Sequence, residues 1–197
     1  MSSSSSGTGP QVRRGNTRQR IQDVALELFA EQGYEKTSLR EIAERLEVTK
    51  AALYYHFKTK EDIIISVFED RTRPIDELIE WAQEQPRTLE TKREMLRRYS
   101  EAMVAGTQLY RFMHENQATM RELSIGEIVK KRIFTLVELL RTEDGPLADQ
   151  VRCVSALFTL HAGMMFLQHV DEADPEATRL AALEVATDLI TRAHGGR

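Results

Sequence analysis

Two helical stripes of about two turns each, Leu39, Ile42, Ala43 and Leu46 and then Leu53 with Phe57, are separated in this chain by only Glu47 and Val48. A link that short makes the two helices cross at a tight turn, and neither can bury its stripe without a third element. That element stands upstream, where Ile21, Val24, Ala25, Leu28 and Phe29 recur at i, i+3, i+4, i+7 and i+8. Gly33 is a natural C-cap for this helix, and Asn16 or Thr17 can cap its start. Ser38 and Glu41 form an S-x-x-E capping box before the second stripe, and Thr49 opens the third helix. A long helix bracing two short ones is the plan of a helix-turn-helix unit, with the motif itself over about 38–57.

The rest of the chain is helical in pattern. Thr59 with Asp62 opens a fourth helix carrying Ile63, Ile64, Val67 and Phe68, which Pro74 is expected to end or kink near Arg73. Further helical patterns cover 75–85, 89–105, 110–115, 121–141, a stretch from Pro146 to about Gln168, and 176–193. With only five prolines and no sustained period-2 alternation, an all-α protein of about nine helices is expected. It divides into a Ser/Gly-rich disordered tail over 1–15, the three-helix unit over 16–62 and a larger helical bundle over 63–194. The single cysteine, Cys153, leaves no intramolecular disulfide framework and no paired-thiol zinc motif, which suits a reducing cytoplasm, and it reads as core. The longest apolar run, 153–167, is too short to cross a membrane, and the opening "MSSSSSGTGPQVRRG" has no apolar region of a secretory signal.

Charge separates the two parts. Residues 1–60 carry ten Lys/Arg against seven Asp/Glu, whereas the remainder carries seventeen against twenty-four, in a chain of formal net charge −4. A basic quarter suits a polyanion that the acidic remainder would repel. The basic residues concentrate in "VTKAALYYHFKTK", 48–60. At 100° per residue the inward pair Leu53 and Phe57 leaves Ala51 and Tyr55 opposite with Ala52 beside them, Lys50 and Tyr54 on one flank and His56 near the other. Small residues on the outermost face permit close approach, and flanking donors suit anionic oxygens, which is how a helix enters the DNA major groove. The competing account is that Tyr54, Tyr55 and His56 pack under the following helix.

The stretch "GYEKTSLREIAERLEVTKAALYYHFKTKEDI", 33–63, resembles the DNA-binding signature of TetR-family transcriptional regulators: a Gly-aromatic pair, Thr-Ser, Ile-Ala, Leu-Tyr-x-His-Phe and Thr-Lys-Glu. The resemblance covers 17–62; beyond it the chain matches only in length and helical character. It implies that Thr37 and Ser38 touch the phosphate backbone and that Thr49 opens the recognition helix. It further implies that Lys50, Ala51 and Ala52 face base edges, that Tyr54 and His56 grip phosphates, and that Lys60 meets the backbone. Two departures stand out. Glu47 occupies a turn position where the family usually has Gly, so a left-handed non-Gly residue is expected there. Ala52 replaces a hydroxyl or Gly, which leaves Lys50 and Tyr55 to set base preference.

The resemblance also implies a homodimer on a palindromic operator of double-stranded DNA, released by a small apolar inducer, with repression the commoner mode and activation open. Small residues on the last two long patterns, Ala148, Ser155, Ala162 and Gly163 and then Ala181, Val185 and Leu189, suit a dimer interface or close packing within one chain. Flexible and aromatic side chains suit an adaptable cavity: Tyr99, Met103, Tyr110, Met113, Phe134, Phe158, His161 and Met165, each of which could equally be plain core. No cofactor or metal site is expected: His161 and His169 lie about 12 Å apart on a helix, and no H-E-x-x-H, G-x-S-x-G or P-loop pattern occurs. An enzyme is therefore the weaker class. A ligand-independent architectural DNA binder is the other alternative, against which the acidic bundle argues.

Overall fold

The computed structural model describes residues 10–117, 121, 123, 125–142, 145–167 and 174–195, with backbone alone at 10–16, 108, 114 and 164–167. Among these, nine α-helices run in the order α1 (Pro10–Gln32), α2 (Leu39–Arg45), α3 (Lys50–His56), α4 (Lys60–Glu84), α5 (Leu89–Ala105), α6 (Thr107–Glu115), α7 (Ile125–Leu140), α8 (Leu147–Leu167) and α9 (Pro175–Gly195). No strand occurs among the described residues. None of their helices is long and apolar enough to cross a membrane.

The start of the chain follows its local rules. Gly33 closes α1 at φ 90°. Capping boxes at Ser38/Glu41 and Thr59/Asp62 open α2 and α4, and the Thr49 hydroxyl caps α3 by accepting from the Ala52 amide. Glu47 takes φ 56°, the left-handed conformation expected of it. Two boundaries differ from expectation. α1 begins at Pro10, so Asn16 and Thr17 lie inside it rather than capping it, and the tail expected over 1–15 overlaps α1 at 10–15. α4 does not end near Arg73 but continues through Pro74 as one helix. Pro74 removes one backbone bond, yet Phe68 and Thr72 before it and Ile75 and Leu78 after it are all buried, so packing on both sides holds the helix through the missing rung.

Two apolar cores result. The first joins Ile21, Ala25 and Phe29 of α1 to Ile42, Leu53, Phe57 and the first half of α4, and it takes in Leu109 and Phe112 of α6. Its centre is aromatic: the Phe29 ring lies 5.0 Å from Tyr34 and 5.6 Å from Phe112. The second core joins Ile75, Leu78 and Ala82 of α4 to Leu96 and Met103 of α5, Leu136 and Leu140 of α7, Cys153 and Leu157 of α8 and Ile190 of α9. Cys153 is core, as its sequence context suggested. Thus α4 passes from one core into the other, and α6 reaches from the bundle into the first. Buried Gln22 of α1 donates to Ser66 Oγ (2.9 Å) and Asp70 Oδ2 (2.7 Å), which ties α1 to the first half of α4.

Candidate nucleic-acid interface and ligand cavity

α3 is held by Leu53, at 0% exposure, and by its C-cap Phe57, at 2%, both in the first core. Everything else on it faces outward or sideways. Lys50 and Ala51 are exposed, Tyr54 and Tyr55 stand out at 44% and 65%, and Ala52 and His56 are half-buried. The Tyr55 and His56 rings meet edge to face at 5.2 Å. Two tyrosines exposed on a seven-residue helix form an aromatic and basic surface, and they do not pack under α4.

The neighbours of α3 divide into outward and inward groups. Ser38 is exposed at the head of α2, its Oγ accepting from the Glu41 amide and donating to Glu41 Oε2 at 2.7 Å. These bonds hold the Glu41 carboxyl below its usual range. Thr37 is buried: its hydroxyl donates to the Gly33 carbonyl at 2.8 Å, which turns it toward the loop. Lys60 donates to the Tyr34 carbonyl at 2.7 Å and lies 4.4 Å from the Tyr34 ring centroid, so it ties the head of α4 to the α1–α2 loop. Sequence reasoning passed over Arg18 and Lys58. The Arg18 guanidinium covers the Phe57 ring at 4.6 Å, and the Lys58 ammonium donates to the Tyr54 carbonyl at the end of α3. The run "TRQR" and the three lysines of 48–60 were the available signals.

A cavity of about 30 Å³, room for roughly one water, opens between α4, α5, α6, α7 and α8. Of the eight residues expected to line a pocket, Tyr99, Tyr110, Met113 and His161 do so. Met103 is buried in the second core away from the cavity, while Phe134 and Phe158 point outward at 60% and 50% exposure. The Met165 side chain lies outside the described residues. Seven wall residues were missed, among them Phe68, Thr72 and Arg132. Arg132 shares the inward stripe of Val129, Ile133 and Leu136, and a cation on an apolar stripe is a signal that could have found it.

The polar groups of the cavity are ordered. His161 Nδ1 lies 3.1 Å from the Leu157 carbonyl and Nε2 lies 3.0 Å from the Tyr99 hydroxyl. A carbonyl only accepts, so Nδ1 carries the proton and the Tyr99 hydroxyl donates to Nε2. Burial keeps His161 below its ordinary pKa and so neutral, and it pushes the Tyr110 hydroxyl up to about 12. Arg132 forms a bidentate pair with Asp76, 2.7 Å from Nε to Oδ1 and 2.5 Å from Nη2 to Oδ2, and donates from Nη1 to the Thr72 hydroxyl at 2.8 Å.

On the outer side of α8, Leu147, Val151, Ser155, Phe158 and Ala162 form one helical stripe, and Leu180, Ala181 and Val185 are exposed on α9. Ala148 is exposed and Leu189 half-buried. Gly163 belongs elsewhere: a Cβ there would lie 2.8 Å from the Ala182 Cβ, so this glycine serves the close approach of α8 and α9 within one chain. Leu147 and Val151 add large apolar residues to the small ones expected there, and Phe158, expected in the cavity, belongs to this outer stripe.

With this geometry in hand, known proteins give a consistent likeness. The family described as bacterial regulatory proteins, tetR family, matches residues 21–67. Over 62 residues the chain is 50% identical to the HTH-type transcriptional regulator AcrR of Shigella flexneri, a match that covers 32% of this chain and 29% of that protein. The chain therefore spans less than a third of the length of that curated relative. The fatty acid degradation regulator FadR from Bacillus halodurans superposes with a TM-score of 0.65 at 21% identity, over 97% of this chain and 98% of that one. SmeT in its complex with triclosan superposes with a TM-score of 0.64 at 21% identity, over 88% and 90%. At these identities the structures share the fold.

Proposed function

We propose that this chain, whose residues 21–67 belong to the tetR family of bacterial regulatory proteins, is a cytoplasmic, sequence-specific DNA-binding transcriptional regulator. The observation that carries this reading is α3: its apolar anchors are buried while Lys50, Ala51, Tyr54 and Tyr55 face outward from the basic end of an otherwise acidic molecule. Residues 16–62 act as the DNA-binding unit. In the groove, Lys50 and Tyr55 read base edges, and Tyr54, His56 and Ser38 contact phosphates. Lys60 and Thr37 support them from within, Lys60 with one N–H beyond its two carbonyl contacts to offer a phosphate.

Residues 63–194 act as the regulatory unit. Two copies pair through the exposed apolar stripe of α8 and α9, and the dimer repeats the reading helix for a palindromic operator, as a repressor. A small, largely apolar inducer occupies the cavity; the solved structure of SmeT, of the same fold, is a complex with triclosan. Phe68, Met113 and Val129 support a route from ligand to DNA, since each both walls the cavity and packs on the first core.

Selection of bound duplexes from a random pool, followed by anisotropy titration of the recovered site against scrambled DNA, tests the reading. A palindromic site with a clear preference over scrambled duplex is expected. Equal affinity for both would end the regulator hypothesis in favour of an architectural binder. Lys50→Ala is expected to narrow the preference between bases, whereas Tyr54→Ala weakens all sequences alike.

A further inference from the structure

Six apolar residues wall the ligand cavity together with Thr72, Tyr99, Tyr110, His161 and Arg132, and Arg132 is the one cation among the described wall residues. Arg132 of α7 is mostly buried, its side chain 16% exposed, and its guanidinium lies 5.0 Å from the Phe68 ring centroid. Its counter-ion comes from the other direction: Asp76 of α4 does not line the cavity, and its side chain is 44% exposed. A guanidinium has five N–H groups, and the Asp76 and Thr72 bonds occupy three. The Thr72 hydroxyl accepts one of these and itself donates to the Phe68 carbonyl at 2.6 Å. The Tyr99 hydroxyl is committed to His161 Nε2. Arg132 thus brings two further N–H groups and a positive charge to the cavity wall.

We propose that the inducer is an amphiphile with an apolar tail and an anionic, carboxylate-like head, and that the head takes Arg132 from Asp76. This rests on the reading of the cavity as the ligand site. The exchange is balanced in charge. A second anion beside the intact pair would leave a net negative charge in a poorly solvated place, whereas Asp76, already half in water, rehydrates as it is displaced. A cationic head meets Arg132 at close range and is rejected. The tail opens the cavity by moving Met113, an unbranched side chain that can re-pack.

The exchange also gives the ligand a mechanical effect. Arg132 is the polar tie between α7 and α4, with Thr72 and Asp76 on either side of Pro74. When the ligand head replaces Asp76, the second half of α4 is released from α7, and the ligand's preference for the released state is what shifts the equilibrium.

Isothermal titration of the full chain with decanoate, decanol and decyltrimethylammonium, each below its micelle concentration and without DNA, tests this directly. Decanoate is expected to bind about tenfold or more tighter than decanol, with the cation weakest. Arg132→Gln should remove the advantage of decanoate while decanol binding stays. Asp76→Asn, which takes away the competing carboxylate, should raise decanoate affinity severalfold and leave decanol unchanged, and it provides the test should Arg132→Gln fail to fold. Equal or tighter binding of decanol or of the cation overturns the proposal, as does a decanoate advantage that survives Arg132→Gln. Binding of decanol without preference for decanoate would leave the cavity reading intact. Failure of all three probes, with operator binding retained, would remove both the anionic head and the cavity as ligand site.

Discussion

The first core closes on a cluster of rings, Phe29, Tyr34 and Phe112, whereas the second leaves a space beside Tyr99, Tyr110 and Arg132. Both are assembled from helices with the same spacing of apolar residues, so periodicity does not cause the difference. In the first, rings from α1, the α1–α2 loop and α6 meet with centroids 5.0 to 6.0 Å apart. In the second, the branched aliphatic residues Ile75, Ile133 and Leu136 line a space beside a charged group whose partner sits at the surface. The first interior suits a part that must present a fixed shape, and the second suits a part that must change its packing by small amounts.

The largest test of that contrast removes the clamp itself. Phe29→Ala is expected to cost about 3–5 kcal/mol in urea unfolding, and Leu96→Ala in the second core about 2–5 kcal/mol. Because α4 and α6 belong to both interiors, each variant should still unfold in one transition. Two separated transitions would mean that the cores are independent units. A smaller loss at Phe29 than at Leu96 would reverse the ranking of the two.

A substitution of intermediate size probes the second interior where it is tight. Gly163→Ala sets a methyl 2.8 Å from the Ala182 Cβ and should cost about 1–3 kcal/mol as α8 and α9 separate. Thermal unfolding reads this, and an unchanged midpoint would show that this region too can re-pack freely. The smallest expected effect has the opposite sign. Glu47→Gly relieves a non-Gly residue at φ 56° and should stabilise the chain by about 0.5–1 kcal/mol, read as a higher melting temperature. A lower one would mean that the left-handed turn carries no strain.

The helix-turn-helix was legible because its signals are local. Ser38 with Glu41, Thr49 and Gly33 each specify a conformation within a few residues, the resemblance added the left-handed turn at Glu47, and the structure adopts all of them. Pro74 was misread because a local rule competed with distant packing, and burial on both sides of it prevailed. Thr37 and Lys60 were legible in place but not in direction, since their inward partners, the carbonyls of Gly33 and Tyr34, are known only once the loop is folded. The cavity was half legible. Residue type pointed to Tyr99, Tyr110, Met113 and His161, but type alone could not separate them from Phe134 and Phe158, whose register on α7 and α8 turns them outward. Arg132 was lost among the charges of "VKKRIF", where only its place on the inward stripe distinguishes it.

The continuity of α4 sets a gearing between its two ends. Lys60 stands 14 residues before Pro74, about 21 Å along the axis, whereas Thr72 and Asp76 stand two residues from it, about 3 Å. A tilt of about 5° pivoting at Pro74 moves the residues that meet Arg132 by about 0.3 Å and the head of the helix by about 2 Å. The smaller displacement lies within the tolerance of a hydrogen bond, and the larger exceeds it. A tilt too small to stretch the Thr72 and Asp76 bonds is thus enough to strain the Lys60 to Tyr34 tie at the other end of the same helix.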